Sequence, residues 1–185
     1  MTTATPVKAA VPTDYRQSIA ALHSGFGIPG DYAETRGLSL CEEATELVSI
    51  GPDSLGREQR MAPKPAQAWG RMREAASREG VELLAVSGFR SVEYQCALIQ
   101  RKLDRGMKIA DVLKINAAPG YSEHHTGRAL DITTSDSQPL EVAFETTPAY
   151  AWLTKHAGEY GFRLSYPRNN PHGINYEPWH WAYQE

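Results

Sequence analysis

The sequence lacks several features that would place a protein in a specialised class. It has no apolar run near the roughly 18 residues that a membrane-spanning helix needs. It has no excess of positive charge, since 19 Lys and Arg residues stand against 22 Asp and Glu residues, and this balance argues against a general nucleic-acid binder. Its only two cysteines, Cys41 and Cys96, cannot build a disulfide framework. The composition instead predicts an ordinary soluble globular protein.

The two cysteines also lack the C-x-x-C spacing of many metal sites. Two unpaired buried thiols are favoured over one bridge between them, although the sequence leaves the bridge open. The N-terminus shows no cationic segment followed by an apolar core, so no signal peptide is recognised. We therefore expect a cytoplasmic protein, or a periplasmic or extracellular one if a leader has been removed from the sequence.

The length of 185 residues fits one compact domain with an additional N-terminal segment. Helical and extended patterns are interspersed, which predicts an α+β fold. Helices are predicted over residues 14–23, 65–79, 91–104, 109–115 and 147–161. Strands are predicted over residues 81–87, 129–133, 162–165 and 179–183. Residues 25–37 are predicted to form a loop, and residues 38–50 fit a strand as well as a helix.

One cluster of polar residues combines an imidazole with a carboxylate. His124 precedes Asp131 by seven residues, and Gly127 between them permits the tight backbone that would bring the two side chains together. His180, near the end of the chain, would complete a set of two imidazoles and one carboxylate. Such a set suits a catalytic zinc ion, because three protein ligands leave the fourth tetrahedral position to water.

Glu177 is the candidate general base for that water. Strand alternation would put Glu177 and His180 on opposite faces, but Pro178 indicates that Glu177 precedes the strand. Taken singly, each of these residues also has a structural explanation, such as a core histidine or a solvated loop carboxylate.

Three gapped motifs occur together in the chain. Residues 122–131 fit S-x-H-x-x-G-x-A-x-D, residues 177–180 fit E-x-W-H, and residues 87–95 fit S-G-[FY]-R-S followed by a glutamine five positions after the arginine. In pattern and order they resemble the motifs of the zinc D-Ala-D-Ala carboxypeptidases of the VanY type, in the group that also contains lysostaphin-like peptidases and sonic hedgehog. The resemblance covers about residues 60 to 185.

The resemblance implies a small, mostly antiparallel sheet that carries the zinc site and is flanked by helices. It implies one zinc ion held by His124, Asp131 and His180. Glu177 would act as general base and then as proton donor to the leaving amine.

The resemblance also implies roles for three residues around the metal. Arg90 would stabilise the developing oxyanion or bind the carboxylate of the substrate. Gln95 and Ser122 would orient the peptide by hydrogen bonds. His125 is expected to be a structural residue or one that supports the ligands without touching the metal, because His124 has the spacing to Asp131 that the motif requires.

The implied substrate is a muropeptide or peptidoglycan stem peptide ending in D-alanine. The lack of a recognised signal peptide slightly favours LD-carboxypeptidase activity on tetrapeptides over DD activity on pentapeptides. A peptidoglycan endopeptidase and a non-catalytic zinc-bearing interaction module are the alternatives. We assign residues 56–185 to the zinc carboxypeptidase domain and residues 1–55 to a partly flexible extension of unknown role.

Overall fold

The computed structural model describes residues 12–53 and 55–184. Its helices are α1 (Thr13–Phe26), α2 (Tyr32–Thr35), α3 (Pro63–Arg78), α4 (Val92–Asp104), α5 (Ile109–Ile115) and α6 (Pro148–His156). Its strands are β1 (Val48–Pro52), β2 (Glu58–Met61), β3 (Leu84–Ser87), β4 (Ala129–Thr133), β5 (Phe162–Leu164) and β6 (His180–Tyr183). The predicted α+β class is confirmed. No described helix is long and apolar enough to cross a membrane.

The larger sheet has the strand order β3–β4–β6–β5, and every neighbouring pair in it is antiparallel. All five residues of the central strand β4 are buried. The register places Asp131 of β4 opposite Ser87 of β3 on one side and His180 of β6 on the other. Directly opposed residues have their Cβ atoms about 5 Å apart, so the sheet itself brings together two of the three predicted metal ligands.

Alternation along β4 separates the core from the site. Leu130 and Ile132 are fully buried in the main hydrophobic cluster, together with Trp69 and Met72 of α3 and Leu153 of α6. Asp131, between the two apolar residues, points to the opposite face because side chains alternate along a strand. Full burial of a Leu, Ile or Met contributes about 2 kcal/mol to the free energy of unfolding, so this packing fixes the strand that carries the carboxylate.

Most predicted elements are confirmed within a few residues. Ser91 caps α4, as predicted, because its side chain accepts a hydrogen bond from the Tyr94 amide at 3.0 Å. The hairpin of β1 and β2 was not predicted, because its strands are short and mostly exposed and show no alternating apolar pattern. The four-residue helix α2 lies within residues predicted to form a loop, since it is too short to show a helical period.

The N-terminal segment, as far as the structure describes it, packs against the loop that carries His124. The Cys41 amide donates to the Gly120 carbonyl at 2.7 Å, and the Ala44 amide donates to the His125 carbonyl at 2.8 Å. Residues 1–11 lie outside the described residues, so the predicted flexibility there is not addressed, and the boundary at residue 56 stays a prediction.

The cysteines differ in one respect from the expectation. Cys41 and Cys96 are not joined by a disulfide in the described part of the chain. Both are half-buried rather than buried, so the predicted burial of the two thiols is wrong.

Candidate metal centre and active site

The side chains of His124, Asp131 and His180 meet at one point. Each offers a ligand atom, and these atoms lie within 4.8 Å of one another. His124 reaches this point from a 3-10 turn, Glu123–Thr126, that ends at Gly127. Gly127 has a φ of +65°, and a Cβ there would lie 2.8 Å from the Ala62 amide nitrogen. The predicted need for a glycine in this tight backbone is therefore confirmed.

Hydrogen bonds orient both imidazoles. His124 Nδ1 lies 2.7 Å from the carbonyl oxygen of Gly88. Because Nδ1 donates to that carbonyl, Nε2 is the ring nitrogen available to a metal, and it lies 3.3 Å from Asp131 Oδ2. His180 Nε2 donates to Glu123 Oε2 at 2.8 Å, while Nδ1 lies 3.1 Å from Asp131 Oδ1. Metal-bound histidines usually donate their second N–H to a carbonyl or carboxylate in this way. The donor set and the fixed rings fit a zinc ion.

A chain of hydrogen bonds from the β1–β2 hairpin supports His124. Gln59 Nε2 donates to Asp53 Oδ2 at 3.2 Å, and Gln59 Oε1 accepts from the Gly88 amide at 2.9 Å. The carbonyl oxygen of Gly88 in turn accepts a hydrogen bond from His124 Nδ1. A Cβ on Gly88 would lie 2.4 Å from the Arg60 carbonyl oxygen, so only glycine permits the hairpin to approach this closely.

The protonation states of the group follow from its surroundings. Burial, with help from the nearby Arg90 cation, lowers the pKa of His124 to about 4, so this imidazole is neutral near pH 7. Burial opposes ionisation of Asp131. In the acid range where Asp131 titrates, the charge of protonated His124 and that of Arg90 outweigh burial and hold the pKa of Asp131 well below its usual value. Burial also opposes charge on His180, but hydrogen bonds to Asp131 and Glu123 raise its pKa to about 10. A metal therefore competes with a proton at His180 Nδ1.

Glu177 lies beside the group. Its Oε2 is 3.9 Å from His180 Nδ1, and its side chain is 13% exposed. Burial is the main cause that raises the pKa of Glu177 to about 7. The His180 amide donates to the Glu177 carbonyl at 3.1 Å, so a turn separates the two residues and β6 begins only at His180. The prediction that Glu177 precedes the strand is confirmed.

A cavity of about 820 Å³ contains the group and the other predicted site residues. Arg90 donates to the carboxylate of Asp131 and, at 2.8 Å, to the hydroxyl of Ser87. Gln95 is buried, and its Nε2 donates to the Ala117 carbonyl at 2.8 Å, while its Oε1 has no hydrogen-bond partner among the described residues. Ser122 is buried and lines the same cavity. The structure thus brings these residues together, and their roles stay predictions.

His125 is structural, as predicted. The Gly120 amide donates to His125 Nε2 at 3.1 Å, and His125 Nδ1 donates to the Arg90 carbonyl at 2.7 Å. Both ring nitrogens are therefore used, and the side chain is fully buried outside the metal group.

Glu123 is the residue that the sequence did not reveal. It fills a variable position of the motif, between Ser122 and His124, and the residue it contacts lies 57 positions further along the chain. Burial opposes its ionisation, but the hydrogen bond and the charge of His180 lower the pKa of Glu123 to about 2. Its carboxylate is thus fixed in the ionised form that accepts from His180 Nε2.

A buried imidazole–carboxylate–imidazole group, with a glutamate beside it at the wall of an open cavity, defines a site typical of mononuclear zinc hydrolases. The family model described as VanY, D-alanyl-D-alanine carboxypeptidase, matches residues 58–185, and the chain belongs to this family.

The chain is similar to one curated relative and to two solved structures that bear on its function. It is 32% identical over 169 residues to the putative carboxypeptidase YodJ of Bacillus subtilis (strain 168), which covers 89% of this chain and 59% of YodJ. It superposes on the LdcB LD-carboxypeptidase with a TM-score of 0.69 and 34% identity, covering 76% of this chain and 69% of that one. It superposes on a mutant of the vancomycin resistance D,D-pentapeptidase VanY in complex with Zn(II) with a TM-score of 0.60 and 25% identity, covering 78% and 86%.

Proposed function

We propose that this chain is a zinc-dependent carboxypeptidase that removes the C-terminal D-alanine from peptidoglycan stem peptides. The observation that carries the proposal is the buried group of His124, Asp131 and His180 with Glu177 beside it in an open cavity. The Zn(II) complex of the VanY relative supports the choice of metal. The match of the family model from residue 58 supports assigning the carboxypeptidase domain to residues 56–185.

The proposed ligand atoms are His124 Nε2, His180 Nδ1 and an oxygen of Asp131. When bound, zinc would polarise the scissile carbonyl and lower the pKa of a water molecule. Glu177 takes a proton from the attacking water and then delivers a proton to the nitrogen of the leaving D-alanine. The bond between the penultimate acyl carbon and that nitrogen breaks, the water oxygen stays on the acyl carbon, and no further reactant is needed.

Three other residues of the cavity position the peptide in this proposal. Arg90 keeps a positive charge beside the place where the carbonyl oxygen becomes negative. Gln95 Oε1, which is buried and has no partner among the described residues, is an acceptor for a substrate N–H. The Ser122 hydroxyl is a further hydrogen-bonding group at the cavity wall.

Between the two specificities, we favour LD activity on tetrapeptides over DD activity on pentapeptides. The likeness to the LdcB LD-carboxypeptidase, with 34% identity against 25% for the D,D-pentapeptidase, supports this order.

The test is incubation of the zinc-loaded protein with a matched muropeptide tetrapeptide and pentapeptide, followed by quantification of free D-alanine. We expect release from the tetrapeptide. Release from the pentapeptide alone would assign DD specificity instead. A cut inside the peptide would indicate an endopeptidase, and retention of zinc with no cleavage at all would indicate an interaction module.

A further inference from the structure

The cavity extends well beyond the metal group along one face of α4. Tyr94, Gln95, Leu98 and Lys102 all line it. Leu98 follows Tyr94 by four residues and Gln95 by three, and Lys102 follows Leu98 by four, so both Tyr94 and Gln95 share a side of the helix with Leu98 and Lys102. Lys102 lies two turns beyond Gln95, about 10 Å along the helix axis. Three residues of extended peptide span the same distance.

The direction of this extension follows from the proposed reaction. A carboxypeptidase leaves a single residue on the C-terminal side of the bond that it cuts. Arg90 donates to Asp131 and is followed directly by the cap residue of α4, so the N-terminal end of α4 lies at the metal group. The part of the cavity that continues toward Lys102 therefore holds residues on the N-terminal side of the scissile bond.

Two cations in this cavity have no carboxylate partner among the described residues. Arg57 and Arg90 of the same cavity are paired with Asp53 and Asp131. Arg60 and Lys102 also line the cavity, but no described carboxylate lies within 4 Å of their charged nitrogens. Their positive charge contrasts with the formal net charge of the whole chain, which is −3.

Arg60 is held at the cavity wall by its own backbone. Its carbonyl accepts a hydrogen bond from the Phe89 amide at 2.7 Å, so β2 lies directly against the segment that leads to Arg90. Glu58 of the same strand also lines the cavity, but its carboxylate accepts a hydrogen bond from the Ser49 hydroxyl. The backbone of Arg60 is thus fixed at the cavity wall, and its side chain is exposed.

Exposed apolar side chains mark the same region as a contact surface. Among the described residues, the exposed large apolar side chains are Val48, Leu55, Tyr94, Leu140 and Val142. Three of these, Tyr94, Leu140 and Val142, line the cavity. Grouped exposed apolar side chains commonly mark a binding groove, and here they line the same cavity as Arg60 and Lys102.

We infer that the part of the cavity that carries Arg60 and Lys102 is a subsite whose positive charge favours peptides with a free carboxylate on the N-terminal side of the scissile bond, so that the preferred substrates are acidic peptides. The inference rests on the proposed carboxypeptidase function and names the class of peptide that the site selects. Opposite charges that meet in a partly exposed groove change affinity by up to about fivefold per pair, and salt screens the effect. The preference for acidic peptides is therefore expected as a higher kcat/KM for these peptides, measured at low ionic strength.

The experiment uses two tetrapeptides ending in D-alanine that differ in one group on the N-terminal side of the scissile bond, which is either a free carboxylate or a carboxamide. We expect the wild-type protein to release D-alanine from the carboxylate peptide with a kcat/KM at least fivefold higher, and this ratio should shrink at high salt. The double variant Arg60→Gln/Lys102→Gln is expected to show a ratio close to one. Arg60→Lys/Lys102→Arg, which conserves both charges, should keep the preference.

The matched control is Arg71→Gln/Lys155→Gln, which removes the same charge from exposed positions outside the cavity and should keep the wild-type ratio. Equal cleavage of the two peptides by the wild type, or a preference that persists in Arg60→Gln/Lys102→Gln, would overturn the inference.

Binding of the two tripeptide products, measured by calorimetry, separates this inference from the proposed function. Tighter binding of the carboxylate tripeptide by the wild type, lost in Arg60→Gln/Lys102→Gln, supports the subsite even if no D-alanine is released. Equal binding of the two tripeptides contradicts it, whatever the protein cleaves.

Discussion

Glu123 accepts a hydrogen bond from Nε2 of His180 at 2.8 Å, which turns Nδ1 of the same ring toward Asp131. The carboxylate therefore acts on the proposed metal through the histidine. It fixes the tautomer in which the N–H faces Glu123 and the lone pair faces the metal.

Replacing Glu123 is expected to weaken zinc binding. In Glu123→Ala the buried Nε2 of His180 loses its partner, and we expect zinc affinity to fall about 10- to 100-fold. Glu123→Gln should show a smaller loss, because an amide oxygen can still accept. Chelator competition measures the affinity, with Glu46→Ala, an exposed position, as the control. Equal zinc affinities for the wild type and Glu123→Ala would show that Glu123 does not support the metal site.

The catalytic role of Glu177 gives a different signature. Glu177→Ala is expected to keep its zinc, because the three proposed ligands are unchanged, while kcat for D-alanine release falls by about 10²- to 10⁴-fold. Metal analysis and initial rates on the same preparation provide the two readouts. Glu141→Ala, at an exposed position, is the control. Retained turnover in Glu177→Ala would refute the assignment as base.

Substitutions of the two adjacent histidines are expected to have different effects, one on metal binding and the other on stability. His124→Asn should abolish stoichiometric zinc binding, since it removes a proposed ligand. His125→Asn should still bind one zinc ion but lower the free energy of unfolding by about 2 kcal/mol, because buried hydrogen bonds to Gly120 and Arg90 are lost. Metal titration and denaturant unfolding distinguish the two. Loss of zinc in His125→Asn with the fold intact would make it a ligand instead.

The hairpin of β1 and β2 approaches the site so closely that Gly88 has no room for a side chain. In Gly88→Ala the new Cβ would meet the Arg60 carbonyl oxygen at 2.4 Å, and this clash involves backbone that cannot swing away. We expect both lower stability and weaker zinc binding, because the Gly88 carbonyl orients His124. Gly70→Ala is the control, since no atom lies within 4 Å of its Cβ and alanine favours the helix by about 1 kcal/mol. Thermal unfolding of both variants tests the contrast.

The lowered pKa of Asp53 predicts that the free energy of unfolding depends on pH. Burial opposes its ionisation, but hydrogen bonds from Arg57 and Leu55 outweigh it and lower its pKa below 3.8. Because the unfolded state binds this proton more readily, the stabilisation is complete above about pH 4 and is lost as the pH falls below that value.

Unfolding of the wild type and of Asp53→Asn at several pH values measures this contribution. At pH 7 we expect Asp53→Asn to be less stable by about 2 kcal/mol, since an amide nitrogen cannot accept from Arg57 and Gln59. The difference should shrink toward pH 3. A difference that stays constant over this range would show that ionisation of Asp53 does not matter.

The sequence by itself determined which residues to expect at the site. Its three motifs predicted His124, Asp131 and His180 as metal ligands and Glu177 as the neighbouring acid, and the structure brings the three predicted ligands together. Local periodicity also located most helices and strands of the sheet, and Pro178 correctly indicated that Glu177 precedes β6.

Only the tertiary structure decided how distant segments support that chemistry. The contact of Glu123 with His180, the pairing of Arg90 with Asp131 and the hairpin that holds Gly88 join residues far apart in the chain. Such contacts depend on strand register and on how the loops pack, and neither leaves a periodic signal in the sequence. Likewise, only the fold shows that Arg60 and Lys102 line the cavity that extends from the metal group.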